Sequence, residues 1–288
     1  DVIIFNQFEE MGNVLWHYQV TGHAIAEAYE SIKTPTSRFA GACFTSGSAG
    51  TMSAGDYLKE QYPYSKLAVG EALQCPTLLE NGFGGHRIEG IGDKHVPWVH
   101  NVRNTDMVID IDDEDSQNLL RLFNSEEGHK YLREVAGVPE ATIEQLSLLG
   151  ISGIANVLCC IKFAKYYELT GDDVVATVAT DSAVMYESRV KELNEQQGNY
   201  SLLTAARDFS EHLHGIRTDN MAELTYADRK RVHNLKYYTW VEQQGKTVEE
   251  LNAQWYDHDY WTGIHEQAKD LDKLINEFNA RTGVAEKI

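Results

Sequence analysis

A loop of small residues follows an apolar run near the start of the chain and offers the chemistry of an anion site. The apolar run covers residues 39–44, and residues 52–62 after the loop are predicted to form a helix. The first N–H groups of a helix and its positive dipole end attract negative charge, and glycine lets a ligand approach the backbone closely. A phosphate is therefore one candidate for this place, and an ordinary turn with serine as helix cap is the other. The loop, called the glycine loop below, consists of Gly47, Ser48, Ala49, Gly50 and Thr51.

The glycine loop matches neither of two common nucleotide-binding patterns. No Gly-Lys-Ser/Thr follows it, as a Walker A loop requires, and the spacing of Gly47, Gly50 and Gly55 is not GxGxxG. The sequence therefore argues against nucleoside triphosphates and dinucleotides and favours another phosphorylated cofactor.

A second candidate region is the glycine-rich and proline-containing segment at residues 74–101, which predicts a long irregular loop. Such loops are more often functional than idle in compact domains. Solvated charge is the favoured interpretation of most of its ionisable residues, but Lys94 is a minor candidate for a Schiff-base lysine, because it lies among glycines.

Composition excludes several function classes. The 288 residues are 42% hydrophobic and carry a formal net charge of -19, which argues against a nucleic-acid or anionic membrane surface as partner. No apolar run approaches the roughly 18 residues of a membrane span, so a soluble, cytoplasmic protein is expected. The four cysteines lack CxxC spacing, and the Asp-His-Asp run at residues 257–259 cannot converge on one ion, so no metal site is predicted.

Apolar runs alternate with helical patterns over the first two thirds of the chain, which predicts an α/β fold with a mainly parallel, twisted sheet flanked by helices. We predict an α/β domain over residues 1–195 and a helical extension over residues 196–288, packed on the domain or across a dimer. The predicted strands are residues 2–7, 39–44, 65–72, 106–112 and 173–180, and the predicted helices of the extension are residues 201–214, 226–244, 248–255 and 261–281.

Five short motifs in a fixed order carry a family resemblance. NQF, GSAGT, HRIEGIG, GISGIAN and a strand ending in Asp181-Ser182 follow one another within about residues 2–190. This order resembles the fold type II pyridoxal-phosphate enzymes, which include cysteine synthase, cystathionine β-synthase, threonine synthase and the tryptophan synthase β chain. The segments GEALQCP and GDKHVPW and the long tail resemble a cysteine-synthase-like group or the 2-amino-4-oxopentanoate thiolase β subunit.

The resemblance implies a role for each matching residue. The glycine loop would hold the phosphate of pyridoxal 5′-phosphate, with Thr51 adding a hydroxyl donor. Ser182 would hydrogen-bond the pyridine nitrogen, although Asp181 remains an alternative for that contact. A neutral hydroxyl there suits elimination and replacement at Cβ more than transamination. The segment that would lie beside the imine and the amino-acid substrate is Gly90, Ile91 and Gly92.

Two parts of the family pattern lie upstream of NQF and have no match in this sequence. They are the Schiff-base lysine and the Ser/Thr-Gly-Asn loop that holds the substrate carboxylate. We therefore expect the chain to be the carboxy-terminal part of a longer, homodimeric enzyme that performs β-elimination or β-replacement on an amino acid. One alternative is a thiolase β subunit that cleaves an amino-oxo acid with coenzyme A and needs a small partner subunit. The other is a non-catalytic half that binds the cofactor without a lysine.

Overall fold

Four short apolar segments pair side by side and form the parallel centre of the protein. In the computed structural model, which describes residues 4–284, a fifth strand joins them at one edge in antiparallel orientation, giving the order β4-β1-β2-β3-β5. The strands are β1 (Arg38–Thr45), β2 (Lys66–Ala72), β3 (Met107–Ile111), β4 (Asp173–Ala176) and β5 (Met221–Glu223).

Helices cover both faces of this sheet. In chain order they are α1 (Met11–Trp16), α2 (His23–Ile32), α3 (Met52–Gln61), α4 (Thr77–Glu80), α5 (Asp113–Phe123), α6 (Glu126–Glu134), α7 (Glu140–Ile143), α8 (Ile151–Tyr166), α9 (Glu187–Gln197), α10 (Leu202–Asp208), α11 (Tyr226–Lys236), α12 (Val248–Tyr256), α13 (Tyr260–Glu266) and α14 (Ala268–Thr282). Segments of π-helix continue α1, α10 and α11. None of the helices in the described chain is long and apolar enough to span a membrane.

Successive apolar side chains of a strand point to opposite faces of the sheet and so belong to two separate cores. Met107 and Ile109 pack with the buried side of α8, while Val108 packs with Leu58 of α3 on the opposite face. Successive residues of a strand point to opposite faces, so a strand buried on both sides reads as a continuous apolar run. This explains why the four parallel strands could be predicted, and those predictions are confirmed.

Two details of the predicted sheet are wrong. The strand expected at residues 2–7 is absent from residues 4–7, where Ile4 and Phe5 are exposed and no neighbouring strand pairs with them; residues 1–3 lie outside the described part. The strand β5 was not predicted, because three residues are too short to display a pattern. The α/β fold with a mainly parallel sheet flanked by helices is confirmed.

Helices form at all four places expected in the carboxy-terminal extension, although β5 within it joins the sheet. The division at residues 195 and 196 stays a prediction. Lys236 of α11 is fully buried where the extension meets the rest of the chain. Its ammonium donates to the carbonyl oxygens of Trp98 (2.9 Å) and His100 (2.7 Å) and to Oε1 of Gln254 (2.7 Å). This side chain therefore connects α11 and α12 to the segment that precedes β3.

Replacing Lys236 by methionine should lower the free energy of unfolding by roughly 2–4 kcal/mol, because three buried acceptors lose their donor. Urea denaturation of the purified protein measures this change. The control is Lys269→Met on the exposed side of α14, which should change stability by less than about 0.5 kcal/mol. Equal stability of the two variants would contradict the anchoring role of Lys236.

A pair of buried carboxylates lies on the adjacent strands β2 and β3. Glu71 and Asp110 occupy the same register, and the Glu71 carboxylate accepts from the backbone N–H groups of Leu78 and Leu79 at the start of α4. Neither carboxylate oxygen of Asp110 accepts from an amide, hydroxyl or cationic donor within the described chain, and a proton shared with the Glu71 carboxyl is the hydrogen bond open to it. Burial raises the pKa of both groups above the ordinary range, and the proximity of Glu71 raises the pKa of Asp110 further.

Because the fold keeps protons on these carboxyls that the unfolded chain releases above about pH 4, stability should fall as pH rises. We expect the free energy of unfolding to decline between about pH 5 and pH 8, at up to ~1.4 kcal/mol per pH unit for each group that titrates differently. Asp110→Asn should reduce this slope in urea denaturation at several pH values. Asp272→Asn, on the exposed surface of α14, should leave it unchanged; a wild-type slope in both variants would refute the explanation.

Candidate functional site

The glycine loop joins the end of β1 to the start of α3 and leaves its backbone donors free. Ser46 still donates to the carbonyl oxygen of Gly70 (2.9 Å), and Met52 donates to that of Ala49 (3.1 Å). Between them, within residues 4–284, none of the five N–H groups of the glycine loop has a hydrogen-bond acceptor on the protein. Consecutive free N–H groups ahead of a helix form an anion-binding arrangement.

Contacts with α1 fix the shape of the glycine loop. The amide nitrogen Nδ2 of Asn13 donates to Oγ of Ser48 (3.1 Å) and to the carbonyl oxygen of Gln7 (2.8 Å). A Cβ atom on Gly50 would clash with Oδ1 of Asn13 and with the ring of His17, so any other residue there would displace these side chains. Ala49 adopts φ +63°, a left-handed conformation that a residue other than glycine rarely takes and that is common at functional sites. The loop is therefore held in one conformation from outside.

The irregular segment after α4 brings its glycines against this loop. Gly90 and Gly92 have φ values of +88° and +85°, which favour glycine. The N–H of Gly92 donates to the carbonyl oxygen of Ser46 (2.9 Å), and the Cβ position of Gly47 lies 3.5 Å from the carbonyl oxygen of Gly90. Gly90, Ile91 and Gly92 thus lie beside the glycine loop, and their contact with an imine and an amino-acid substrate stays a prediction.

The amino end of α8 completes the surroundings. Oδ1 of Asn156 accepts from the N–H of Thr45 (2.7 Å), and its Nδ2 donates to the carbonyl oxygen of Val178 (2.9 Å). Oγ of Ser152 lies 3.0 Å from Oγ1 of Thr180. Sequence reasoning did not assign Asn13, Asn156 or Thr180 to the site. For Asn156, the available signal in the sequence was the motif GISGIAN, which also contains Ser152.

These segments enclose a cavity of about 440 Å³. His17 of the π-helical turn also lines it, and burial lowers the pKa of this imidazole below its usual value, so the ring is neutral at neutral pH. No cluster of three or more potential metal ligands occurs among the residues described here. The lining residues are Gln7, Phe8, His17, Thr45, Gly47, Ser48, Ala49, Gly50, Thr51, Gly90, Ile91, Gly92, Ser152, Asn156, Val178, Thr180 and Asp181.

Three sequence-based candidates differ in their position relative to this cavity. Asp181 lines it and accepts a hydrogen bond from the hydroxyl of Tyr186, whereas Ser182 begins the turn Ala183–Tyr186 and is not among the lining residues. Lys94 is exposed and does not line the cavity either. The contact of Ser182 with a cofactor ring and the imine at Lys94 stay predictions.

No family model matches the chain. Among curated proteins, the chain is 30% identical over 183 residues to the Bacillus subtilis protein named probable cysteine synthase. The aligned region covers 63% of this chain and 51% of that protein. It is 28% identical to a cysteine synthase of Staphylococcus aureus over the same shares. Cysteine synthase 3 of Caenorhabditis elegans matches at 29% over 174 residues, 60% of this chain and 44% of that protein. The chain thus spans about half the length of the curated relatives it matches.

Solved structures agree in fold. A cysteine synthase from Entamoeba histolytica aligns with a TM-score of 0.52 at 20% identity, covering 72% of this chain and 53% of that one. A hydrogen sulfide-producing enzyme from Fusobacterium nucleatum aligns with a TM-score of 0.50 at 23% identity, covering 70% and 53%. The chain therefore has the fold of the fold type II pyridoxal-phosphate enzymes. Within this class its sequence is similar to the cysteine synthases.

These matches bear on the alternatives left open by the sequence. The relatives are named for cysteine synthesis and the structures for cysteine synthesis or sulfide production. They favour neither a thiolase β subunit nor a non-catalytic half.

Inorganic phosphate should raise the melting temperature of the protein, because an anion that binds only the fold stabilises it. Gly50→Ala should abolish this shift, since the new methyl group displaces Asn13 and with it Ser48. The matched control is Gly171→Ala on an exposed turn, where a Cβ meets no atom within 4 Å. Thermal unfolding followed by circular dichroism, with phosphate against chloride at equal ionic strength, measures the effect. An equal phosphate shift in the wild type and Gly50→Ala would exclude the glycine loop as the anion site.

Proposed function

We propose that the glycine-loop cavity holds the phosphate end of pyridoxal 5′-phosphate in an enzyme that performs β-replacement or β-elimination on an amino acid. The observation that carries this proposal is the run of five N–H groups that have no acceptor within residues 4–284, in a loop that lines a cavity together with other segments of the family pattern. A phosphate dianion offers only acceptors at its terminal oxygens, so it complements a site made of donors. The whole reaction, its substrate and its partners are part of the same proposal.

The residues divide into three groups by role. Gly47, Ser48, Ala49, Gly50 and Thr51 would supply backbone donors to the phosphate, and the hydroxyls of Ser48 and Thr51 could add two more. Asn13 acts indirectly, since it orients Ser48. Gly90 would leave room for a substrate beside the backbone, because a Cβ there would have no neighbour closer than Oγ of Ser152 at 3.9 Å. When bound, pyridoxal phosphate supplies an electron sink for the charge that develops on an amino-acid substrate.

The segment that follows β4 would face the ring nitrogen. Ser182 is the candidate that the resemblance implies, and Thr180 and Asp181 are the two that line the cavity. A hydroxyl group here leaves the ring nitrogen neutral, whereas a carboxylate favours its protonation. The contact between Asp181 and Tyr186 already occupies one carboxylate oxygen and restrains that side chain. We therefore assign the ring contact to a hydroxyl, which suits chemistry at Cβ.

The substrate class follows from these assignments and from the names of the relatives. An amino acid with a leaving group at Cβ, such as an activated serine, would lose that group, and sulfide or a thiol would take its place. The identity of the acceptor depends on a few polar contacts that a related enzyme can change easily. We also propose a homodimer, the state that the resemblance implies.

Binding of the cofactor is tested by fluorescence titration with pyridoxal phosphate, pyridoxine phosphate and pyridoxal. Both phosphorylated compounds should bind at least tenfold more tightly than pyridoxal, because the glycine loop recognises the phosphate. Gly50→Ala should remove this preference, and Gly171→Ala should retain it. Equal affinity of the wild type for pyridoxal and pyridoxal phosphate would refute the assignment of the loop.

The reaction itself is tested on the full-length natural polypeptide loaded with pyridoxal phosphate. Formation of cysteine from O-acetylserine and sulfide would support β-replacement, and release of sulfide from cysteine would support β-elimination. Absence of both with a fully loaded protein would refute the proposed chemistry while leaving the phosphate site intact. Light scattering of the same preparation reports whether the protein is a homodimer.

A further inference from the structure

A second polar cavity lies near the amino ends of the strands, opposite to the glycine-loop cavity at their carboxyl ends. It is open to solvent, has a volume of about 410 Å³ and is lined by the middle of α3, the segment before β3 and the helix α13. It shares no lining residue with the glycine-loop cavity. Its ionisable lining residues are Asp56, Lys59, Glu60, Arg103, His258 and His265.

Asp56 lies deep in this second cavity, with 5% of its surface exposed. Its carboxylate accepts from the side-chain amides of Asn101 (3.1 Å) and Asn104, but within residues 4–284 no lysine or arginine forms an ion pair with it. Lys59, one turn further along α3, is already paired with Asp106 (2.8 Å). Burial raises the pKa of Asp56 to about 7, so a neighbouring positive charge would stabilise its ionised form.

His265 of α13 closes the same deep end and is 6% exposed. Its ring stacks on Tyr18 with 3.8 Å between ring centroids, and its Nε2 atom lies 3.8 Å from Oδ2 of Asp56, too far for a hydrogen bond. Neither this Nε2 nor Oδ1 of Asn101 has a hydrogen-bond partner in the described chain. Burial lowers the pKa of His265 to about 4, so the neutral ring can offer a lone pair at neutral pH.

Buried polar atoms without partners are uncommon because each costs about 1–3 kcal/mol. Here the residues that carry an unpartnered imidazole nitrogen and an unpartnered amide oxygen line the cavity, together with Asp56, whose carboxylate has no lysine or arginine partner among the described residues. In one histidine tautomer all three are hydrogen-bond acceptors. The deep end of the cavity therefore complements a group that carries several N–H donors and a positive charge, such as a primary ammonium.

Arg103 supplies the opposite charge in the same lining. Its guanidinium donates to the carbonyl oxygen of Asp257 (3.2 Å) and lies 3.3 Å from Nδ1 of His258. In the described part of the chain it has no carboxylate within ion-pair distance. A half-buried guanidinium without an anionic partner suits a carboxylate, which it can bind through two parallel hydrogen bonds.

We propose that this second cavity binds a small zwitterionic α-amino acid, with its ammonium against Asp56, Asn101 and His265 and its carboxylate against Arg103. A single ligand of this class supplies both missing charges at once. A simple amine would leave Arg103 unpaired, and a simple carboxylate would leave Asp56 and His265 unpaired. The volume lies within the range of small-molecule sites. This site goes beyond the proposed function, because none of its residues would contact the cofactor.

The first test compares L-alanine with two fragments of it by isothermal titration calorimetry of the full chain without cofactor. L-alanine carries both charges, ethylamine only the ammonium and propionate only the carboxylate. L-alanine should bind with 1:1 stoichiometry and at least tenfold more tightly than either fragment. Absence of alanine binding, or equal affinity for alanine and either fragment, would overturn the proposal. This test uses the wild-type protein alone.

The second test uses variants with matched controls. Arg103→Gln should weaken alanine binding at least tenfold, whereas Arg217→Gln should not change it, because Arg217 lines a different cavity. His265→Phe keeps an aromatic ring against Tyr18 but removes Nε2, and it should also weaken binding. Unchanged binding in both Arg103→Gln and His265→Phe would refute the site.

A competition experiment separates this site from the glycine-loop cavity. Saturating pyridoxine phosphate should leave the affinity for L-alanine unchanged, since the two cavities share no residue. If pyridoxine phosphate displaces L-alanine, the amino acid occupies the glycine-loop cavity, and the inference fails while the proposed function stands. If pyridoxine phosphate itself does not bind but L-alanine does, the proposed function fails and the amino-acid site stands.

Discussion

The cavity at the carboxyl ends of the strands depends on the side chain of Asn156. This side chain bridges β1 and the segment after β4 by hydrogen bonds where the two backbones no longer pair. Pairing between β1 and β4 ends at Ala42 and Ala176, and beyond this point Asn156 bonds Thr45 on one side and Val178 on the other. The backbones can separate there without leaving polar groups unsatisfied. The space that opens between them becomes the cavity, so the glycine loop and the segment after β4 can both line it.

Asn156 reaches this position because α8 packs unusually close to the sheet. A Cβ on Gly70 would lie 2.5 Å from Sγ of Cys159, and a Cβ on Gly41 would lie 2.8 Å from the ring of Phe163. Glycine weakens a strand, but here it admits a buried helix at short distance. The apolar character of α8 on most sides follows from the same burial, and it was visible in the sequence as a nearly continuous apolar run. Two strand glycines thus contribute to the position of a polar side chain in the site.

The fold could be predicted from the sequence where local pattern and burial agree. The four parallel strands and the loop between the first of them and its helix were predicted because apolar runs and glycines are local signals. Asn13 and Asn156 were missed because each acts on a residue far away in the chain, and asparagine carries no pattern that reveals such a partner. The second cavity was missed for the same reason. Asp56, Arg103 and His265 come together only through the packing of α3 and α13.

The two cavities present different kinds of hydrogen-bonding group. This difference discriminates between candidate ligands better than the net charge of the protein does. At physiological ionic strength, charges more than about 8 Å away on the surface are largely screened, so the formal charge of -19 does not prevent anion binding locally. The glycine loop presents backbone donors, and among the described residues that line its cavity the only carboxylate is Asp181. The deep end of the second cavity presents acceptors next to Asp56, so a phosphate there would meet lone pairs and a carboxylate. A zwitterion complements the second arrangement and a phosphate complements the first, because the hydrogen-bonding groups of each match only one of the two linings.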